Sequence, residues 1–326
     1  MPKRLHATDD DPFLIEELPL ATASPEPLIK PIDKALWTGN KAKLIERYLF
    51  YFVLVTRHGS YIDGFAGPQR EAEEGSWAAK LVMESQPRWF RHFYLFEKKN
   101  DQVARLDVLK ASQPERDPTR REPKRDVRIY PGDFNVNLHE LLKTREIGEK
   151  EATFCLLDQR TFECQWSSVE ALAQYKHGEH KIELFYFLAN RWLARALANV
   201  TKDYDMVERW WGGNDWRSLR SLSQQDRARR FEERFRGELG YKSAKAWPIH
   251  RHKGGRGAIM YYMIHATDHP QAPGLMSRAY NNVGLSIGEE FKQLELNFGP
   301  DFGSPPPELL EDPTQSDDPA QSEFPK

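Results

Sequence analysis

Two hydrophobic rhythms alternate along the chain. From Ala35 to about Arg57 the apolar residues Leu44, Tyr48, Phe52 and Val55 recur every three to four positions, over a stretch too long for a strand, which predicts an amphipathic helix. Short apolar runs follow at Ser60–Asp63, His92–Glu97, Val127–Tyr130, Thr153–Leu157 and Lys181–Leu188, as expected of buried strands. Helical patterns separate most of them, at Trp77–Glu84, Asn100–Lys110 and Ser167–Tyr175, with Ser76 expected to cap the first. Gln113–Arg125 reads as a charged loop of little structure. Regular alternation up to Leu188 predicts an α/β fold with a parallel, doubly wound sheet. Beyond it, residues about 190–248 are mainly helical in pattern and form an expected insertion before a late strand at Gly257–Thr267. Residues 1–30 and 300–326 mix Pro, Ala, Ser and acids without periodicity and are expected to be mobile tails, which leaves 31–299 as one domain.

Composition narrows the class. The 326 residues include 9 Trp, 12 Tyr and 18 Phe, enough to build a sizeable core. No apolar run reaches the ~18 residues needed to cross a bilayer, and the N-terminus lacks the apolar segment of a signal peptide, so a cytoplasmic protein is expected. Cys155 and Cys164 are the only cysteines and support neither a disulfide framework nor a zinc site. A net charge of −2 gives no general pull on nucleic acid, although local patches could supply one.

The candidate chemistry sits at strand ends. Asp63-Gly64-Phe65-Ala66-Gly67-Pro68 carries a predicted strand into a glycine-bearing turn, and open α/β sheets bind ligands at the carboxyl ends of their strands. Gly64 and Gly67 are expected to let a ligand approach the main chain. The turn lacks both the P-loop and the G-x-G-x-x-G spacing, so it suits S-adenosylmethionine, a nucleoside without phosphate, better than a polyphosphate. Glu97, closing the second strand, is the candidate acceptor for ribose hydroxyls. Asp133 is placed to accept from an adenine amino group, with Phe134 packing on the ring. Asp158, closing the fourth strand, would stand beside the donor's reactive end and orient or deprotonate an acceptor. In the helical insertion, Trp210, Trp211 and Trp216 precede Arg217, Arg220, Arg227, Arg229, Arg230, Arg234 and Arg236. Those residues could stack on bases and neutralise phosphates, or the arginines could be consumed by helical pairing with Asp226, Glu232, Glu233 and Glu238. His250–Arg256 reads as a basic loop or a hairpin turn.

From Lys41 to Tyr280 the chain resembles the three-Cys-motif partner proteins (TcmP), a bacterial family similar to S-adenosylmethionine-dependent methyltransferases and encoded beside a radical-SAM protein with three cysteines. The resemblance rests on K-x-x-L from Lys41, Y-I-D-G-F-A-G-P from Tyr61, G-S at Gly75, F-Y-L-F-E-K from Phe93, and G-D-F-N from Gly132. It continues with W-W-G-G-N-D-W from Trp210 and M-Y-Y-M-I-H-A-T-D-H from Met260, followed by Leu275-Met276. It implies a Rossmann-like methyltransferase fold and a donor site at Asp63, Gly64, Phe65, Ala66, Gly67, Glu97, Asp133 and Phe134. It also implies a radical-SAM partner. The chain departs from the family pattern at Gln69, where a glycine is usual, and at Asp158-Gln159-Arg160-Thr161, where the pattern is D-P-F/Y-G. The acid survives without its proline-built frame, and Phe162 lies one residue further along. Three readings result: a methyltransferase of unknown acceptor, with nucleic acid among the candidates; a non-catalytic cofactor- or partner-binding module; and a metal-dependent nuclease using Asp158 and Glu163.

Overall fold

The computed structural model describes residues 37–68, 77–117, 119, 122–159, 162–200, 204–252 and 256–284. The two tails and Ser76, Gln69, Arg160 and Thr161 lie outside the described residues. Helix α1 (Trp37–Thr56) leads into strand β1 (Gly59–Asp63), followed by α2 (Ala78–Glu84), β2 (Phe90–Glu97), α3 (Asn100–Ala111) and β3 (Asp126–Pro131). The second half runs α4 (Phe134–Lys143), β4 (Thr153–Leu157), α5 (Trp166–Gln174), β5 (Glu183–Leu188), α6 (Asn190–Asn199), α7 (Tyr204–Trp211) and a 3-10 helix (Asn214–Ser221). It closes with α8 (Gln224–Gly237), β6 (Ser243–His252), β7 (Arg256–Thr267) and α9 (Ala272–Asn282). Trp77 occupies the cap position of α2, without a side-chain hydrogen bond.

One seven-stranded sheet of order β3-β2-β1-β4-β5-β7-β6 forms the centre. Strands β1 to β5 pair in parallel, and β7 runs antiparallel to both β5 and β6. The order reverses between β1 and β4, so right-handed crossovers place helices on both faces, and the fold is a Rossmann-like, doubly wound α/β sheet. Strands β1, β4 and β5 are buried along their whole length, which explains why they appear as unbroken apolar runs.

Two expectations change on folding. The insertion ends earlier than its helical pattern predicts, because Ser243–His252 is a strand paired with β7; in the basic stretch His252 pairs with Arg256, and Lys253, Gly254 and Gly255 lie outside the described residues. Only Trp247 and Ile249 alternate as buried residues along β6, with Ala244 buried out of that phase, and Pro248 removes a backbone donor, which only an edge strand tolerates. The Gln113–Arg125 loop is tied down by the buried Arg88, whose guanidinium donates to Glu122 at 3.2 Å and to Pro114 O at 3.2 Å.

Candidate active site

Strands β1 to β4 end side by side, and their carboxyl ends enclose a cavity of about 350 Å3. Gly64, Phe65, Gly67, Glu97, Asp133, Phe134 and Asp158 line it, so most of the predicted site residues meet in one place. Asp63 and Ala66 do not line it and are almost fully buried.

Asp63 braces the turn from within. Its Oδ2 accepts from Tyr61 OH at 2.8 Å and its Oδ1 from Phe65 N–H at 3.1 Å. Burial pushes its carboxyl up to about 7 against the pull of those two bonds, and the charges of Asp158 and Glu97 add to the rise. The Tyr61 hydroxyl is pushed up in turn by burial and by Asp63. The turn is pinned further by Ala66 N–H to Phe96 O at 2.8 Å and Trp77 Nε1–H to Ala66 O at 2.6 Å.

The glycines act differently from expectation. Neither Gly64 nor Gly67 needs a left-handed backbone. A Cβ on Gly67 would stand 2.3 Å from Glu97 Oε2, and one on Gly64 would crowd Leu157 and the Phe134 ring at 3.1 Å. These positions are small so that the protein's own acid and ring can close on the turn. Gly132, at φ +115°, does need glycine, and its N–H bonds Glu97 O at 2.9 Å.

Glu97 ends β2 with Oε2 accepting from Gly67 N–H at 3.0 Å and Oε1 from Lys99 N–H at 2.9 Å. A carboxylate offers about four acceptor positions, so capacity remains on both oxygens. Asp133 is the N-cap of α4, its Oδ1 accepting from Asn135 N–H at 2.9 Å and Val136 N–H at 3.4 Å. Phe134 packs on Phe65 and Phe96 with ring centres 5.4 and 5.3 Å apart. Both residues therefore have a structural task whether or not they touch a ligand.

The fourth strand ends in a different arrangement from a bare carboxylate. Asp158 Oδ2 is engaged by the buried ammonium of Lys41 in α1, which also lies 4.0 Å from the centre of the Phe187 ring. Gln159 accepts from Cys164 N–H at 3.1 Å, and Phe162 meets Trp210 edge-on at 4.9 Å. Lys41 and Asn135 stand in the sequence only as members of motifs, without a role. Asn135 accepts from Gln165 N–H at 2.8 Å and Ser168 Oγ–H at 2.9 Å and donates to Glu163 O at 2.9 Å. Asn135 thus locks the β3–α4 turn to the β4–α5 connection, a contact between distant segments that no local signal announces. Met206 and Arg209 of α7 complete the wall on that side.

The stacking surface read into the helical insertion is not there. Trp210, Trp211 and Trp216 are core residues. Arg234 lies 3.7 Å over Trp166 and 4.1 Å over Trp211, while Arg227 donates to Leu219 O at 2.7 Å and Arg220 to Leu197 O at 2.8 Å. Arg229, Arg230 and Arg236 pair with Asp226, Glu233 and Glu232 along α8, as the pairing alternative had it. No group of three His, Cys, Asp or Glu poised to hold a metal occurs among the described residues, which leaves the nuclease reading without a ligand set. No helix among them is long and apolar enough to cross a membrane.

No family model and no curated protein matches the chain. Among solved structures, the crystal structure of the methyltransferase domain of bacterial CtHen1-C is similar with a TM-score of 0.37 and 10% identity, over 68% of this chain and 98% of that one. A likeness of that degree carries no argument about function, and the fold stands on its own strand order.

Proposed function

We propose that the cavity at the ends of β1 to β4 binds S-adenosylmethionine and that the protein is a methyltransferase-like enzyme. The observation that carries this reading is the convergence on one cavity of Glu97 with spare acceptor capacity, the Phe65 and Phe134 rings, and the Asp158 carboxylate. Its volume is that of a small-molecule pocket. Glu97 would take the ribose hydroxyls and the two rings the adenine, while the acids on the wall suit a donor bearing a sulfonium and an ammonium. The donor supplies an activated methyl group. The protein aligns an acceptor lone pair with that carbon opposite the breaking S–C bond, which dominates such a reaction. Arg209, Met206 and Glu163 border the side where an acceptor would enter. The acceptor class and a radical-SAM protein acting alongside remain part of the proposal, the latter from the TcmP resemblance.

The Lys41–Asp158 pair favours a second reading, a cofactor- or partner-binding module that no longer transfers methyl groups, because the acid at the reactive end is already engaged.

Calorimetry with S-adenosylmethionine separates the outcomes. Wild type should bind, Glu97→Gln should bind about tenfold more weakly, consistent with the ~1.5 kcal/mol or more of a charge-assisted hydrogen bond, and no binding by wild type would end both cofactor readings. Transfer of labelled methyl to pooled nucleic-acid and protein fractions, abolished by Asp158→Asn, would support the enzyme. Tight donor binding without transfer would leave the module.

A further inference from the structure

A second cavity, of about 640 Å3, opens at the opposite edge of the sheet, where β4 and β5 begin and β7 ends. It shares no residue with the donor cavity. Phe52 and Val55 of α1, Ala152 before β4 and Leu275 of α9 give it apolar walls. Set into them is Lys176, only 5% exposed. Its ammonium donates to Glu151 O and, at 2.9 Å, to Thr153 Oγ1, both neutral acceptors, and among the described residues no carboxylate lies within ion-pair distance. An ammonium has three donors, so one is left for a ligand.

The acids of the lining are otherwise occupied. Glu183 accepts from Tyr48, His265 and Thr267; Asp268 pairs with Lys181 at 3.3 Å; and Glu151 pairs with His92 at 2.9 Å. Glu149 accepts from His177 N–H at 3.0 Å, and Glu179 lies 3.8 Å from Lys242. Of the lining's buried charged residues, Glu183, Asp268 and Lys176, the first two have an ion pair at contact distance and Lys176 has none. Burial pushes its amine down to about 8, with Glu151 and Glu149 opposing the fall from further off. A buried cation without a counter-charge is costly, and an anion arriving from solution would relieve that cost. With Lys181 paired to Asp268 and Lys150 exposed, the one buried ammonium beside the apolar wall suits one carboxylate with a hydrocarbon body better than a phosphate dianion, which needs more donors.

We propose that this cavity binds a small amphipathic carboxylate, its anionic group on Lys176 and its apolar body against Phe52, Val55 and Leu275. Titration calorimetry of the full chain with decanoate tests the site, with decyltrimethylammonium as the same chain of opposite charge. Decanoate should bind and decyltrimethylammonium should not. Lys176→Met should weaken decanoate at least tenfold. Leu275→Trp, which keeps the ammonium but fills the apolar wall, should do the same even if the lysine variant folds poorly. 2-Naphthoate in place of decanoate tells an aromatic body from an acyl chain, and binding of either supports the site. Failure of wild type to bind both carboxylates, equal affinity for the two decyl compounds, or decanoate affinity unchanged in the folded variants would overturn the proposal.

Discussion

At the residue scale, the acids at the strand ends are defined by what each already holds. Asp63 is aimed at Tyr61 and Phe65, and its raised carboxyl makes a specific pH prediction. A group that binds its proton more tightly folded than unfolded stabilises the protein fully below its ordinary value and loses that contribution as pH rises through the folded value. From 3.8 to about 7, at ~1.4 kcal/mol per tenfold, the loss approaches about 4 kcal/mol. Urea denaturation should therefore show Asp63→Asn gaining on wild type between pH 4 and 7, and a difference independent of pH would refute the assignment. Asp158 predicts the opposite kind of coupling. Lys41→Met leaves its carboxylate buried without the ammonium and should cost about 3–5 kcal/mol, whereas Lys41→Met with Asp158→Leu should recover most of it. Additive effects in that double-mutant cycle would mean the two residues do not depend on each other. Neither partner choice was legible in the sequence, because Tyr61 and Asp63 share one strand face only once the strand exists, and Lys41 meets Asp158 only across the fold.

At the element scale, strands β1, β4 and β5 were legible because burial on both faces leaves an apolar run with little competing signal. The first edge strand of the final hairpin was not, since Ala244, Trp247 and Ile249 are spread among polar residues and Pro248 argues against a ladder. The glycine turn after β1 stands out in the sequence for a reason that the folded chain revises: its small residues accommodate Glu97, Leu157 and Phe134. The turn after α7 shows the same logic in the insertion. Gly212 adopts φ +83°, and a Cβ there would stand 2.5 Å from Trp166 Cδ1. Gly212→Ala should thus combine backbone strain with overpacking and lose roughly 1–3 kcal/mol in thermal or urea melts. A variant as stable as wild type would show that the Trp166 ring can yield.

At the scale of the whole molecule, the sheet has the proposed donor cavity at one edge and the Lys176 cavity at the other, and a helical insertion whose tryptophans and Arg234 are turned inward to one another. Surface charge on α8 is left to pairs such as Arg229–Asp226 and Arg230–Glu233, each worth at most ~0.5 kcal/mol. Reversing Arg229 and Arg230 together to Glu should leave the melting curve almost unchanged. In the proposed assembly with a radical-SAM partner, the same variant should fail to co-purify, and undiminished recovery would remove α8 from that contact. The order of β1 to β5 with helices α1, α2, α3 and α5, the strand-end carboxylates and the α/β class were determined by the sequence alone, because periodicity and turn chemistry are local properties. What each carboxylate touches, which arginines face inward and where an ammonium is buried without an ion pair were decided only by the tertiary structure, because those energies depend on groups that the chain brings together from distant positions.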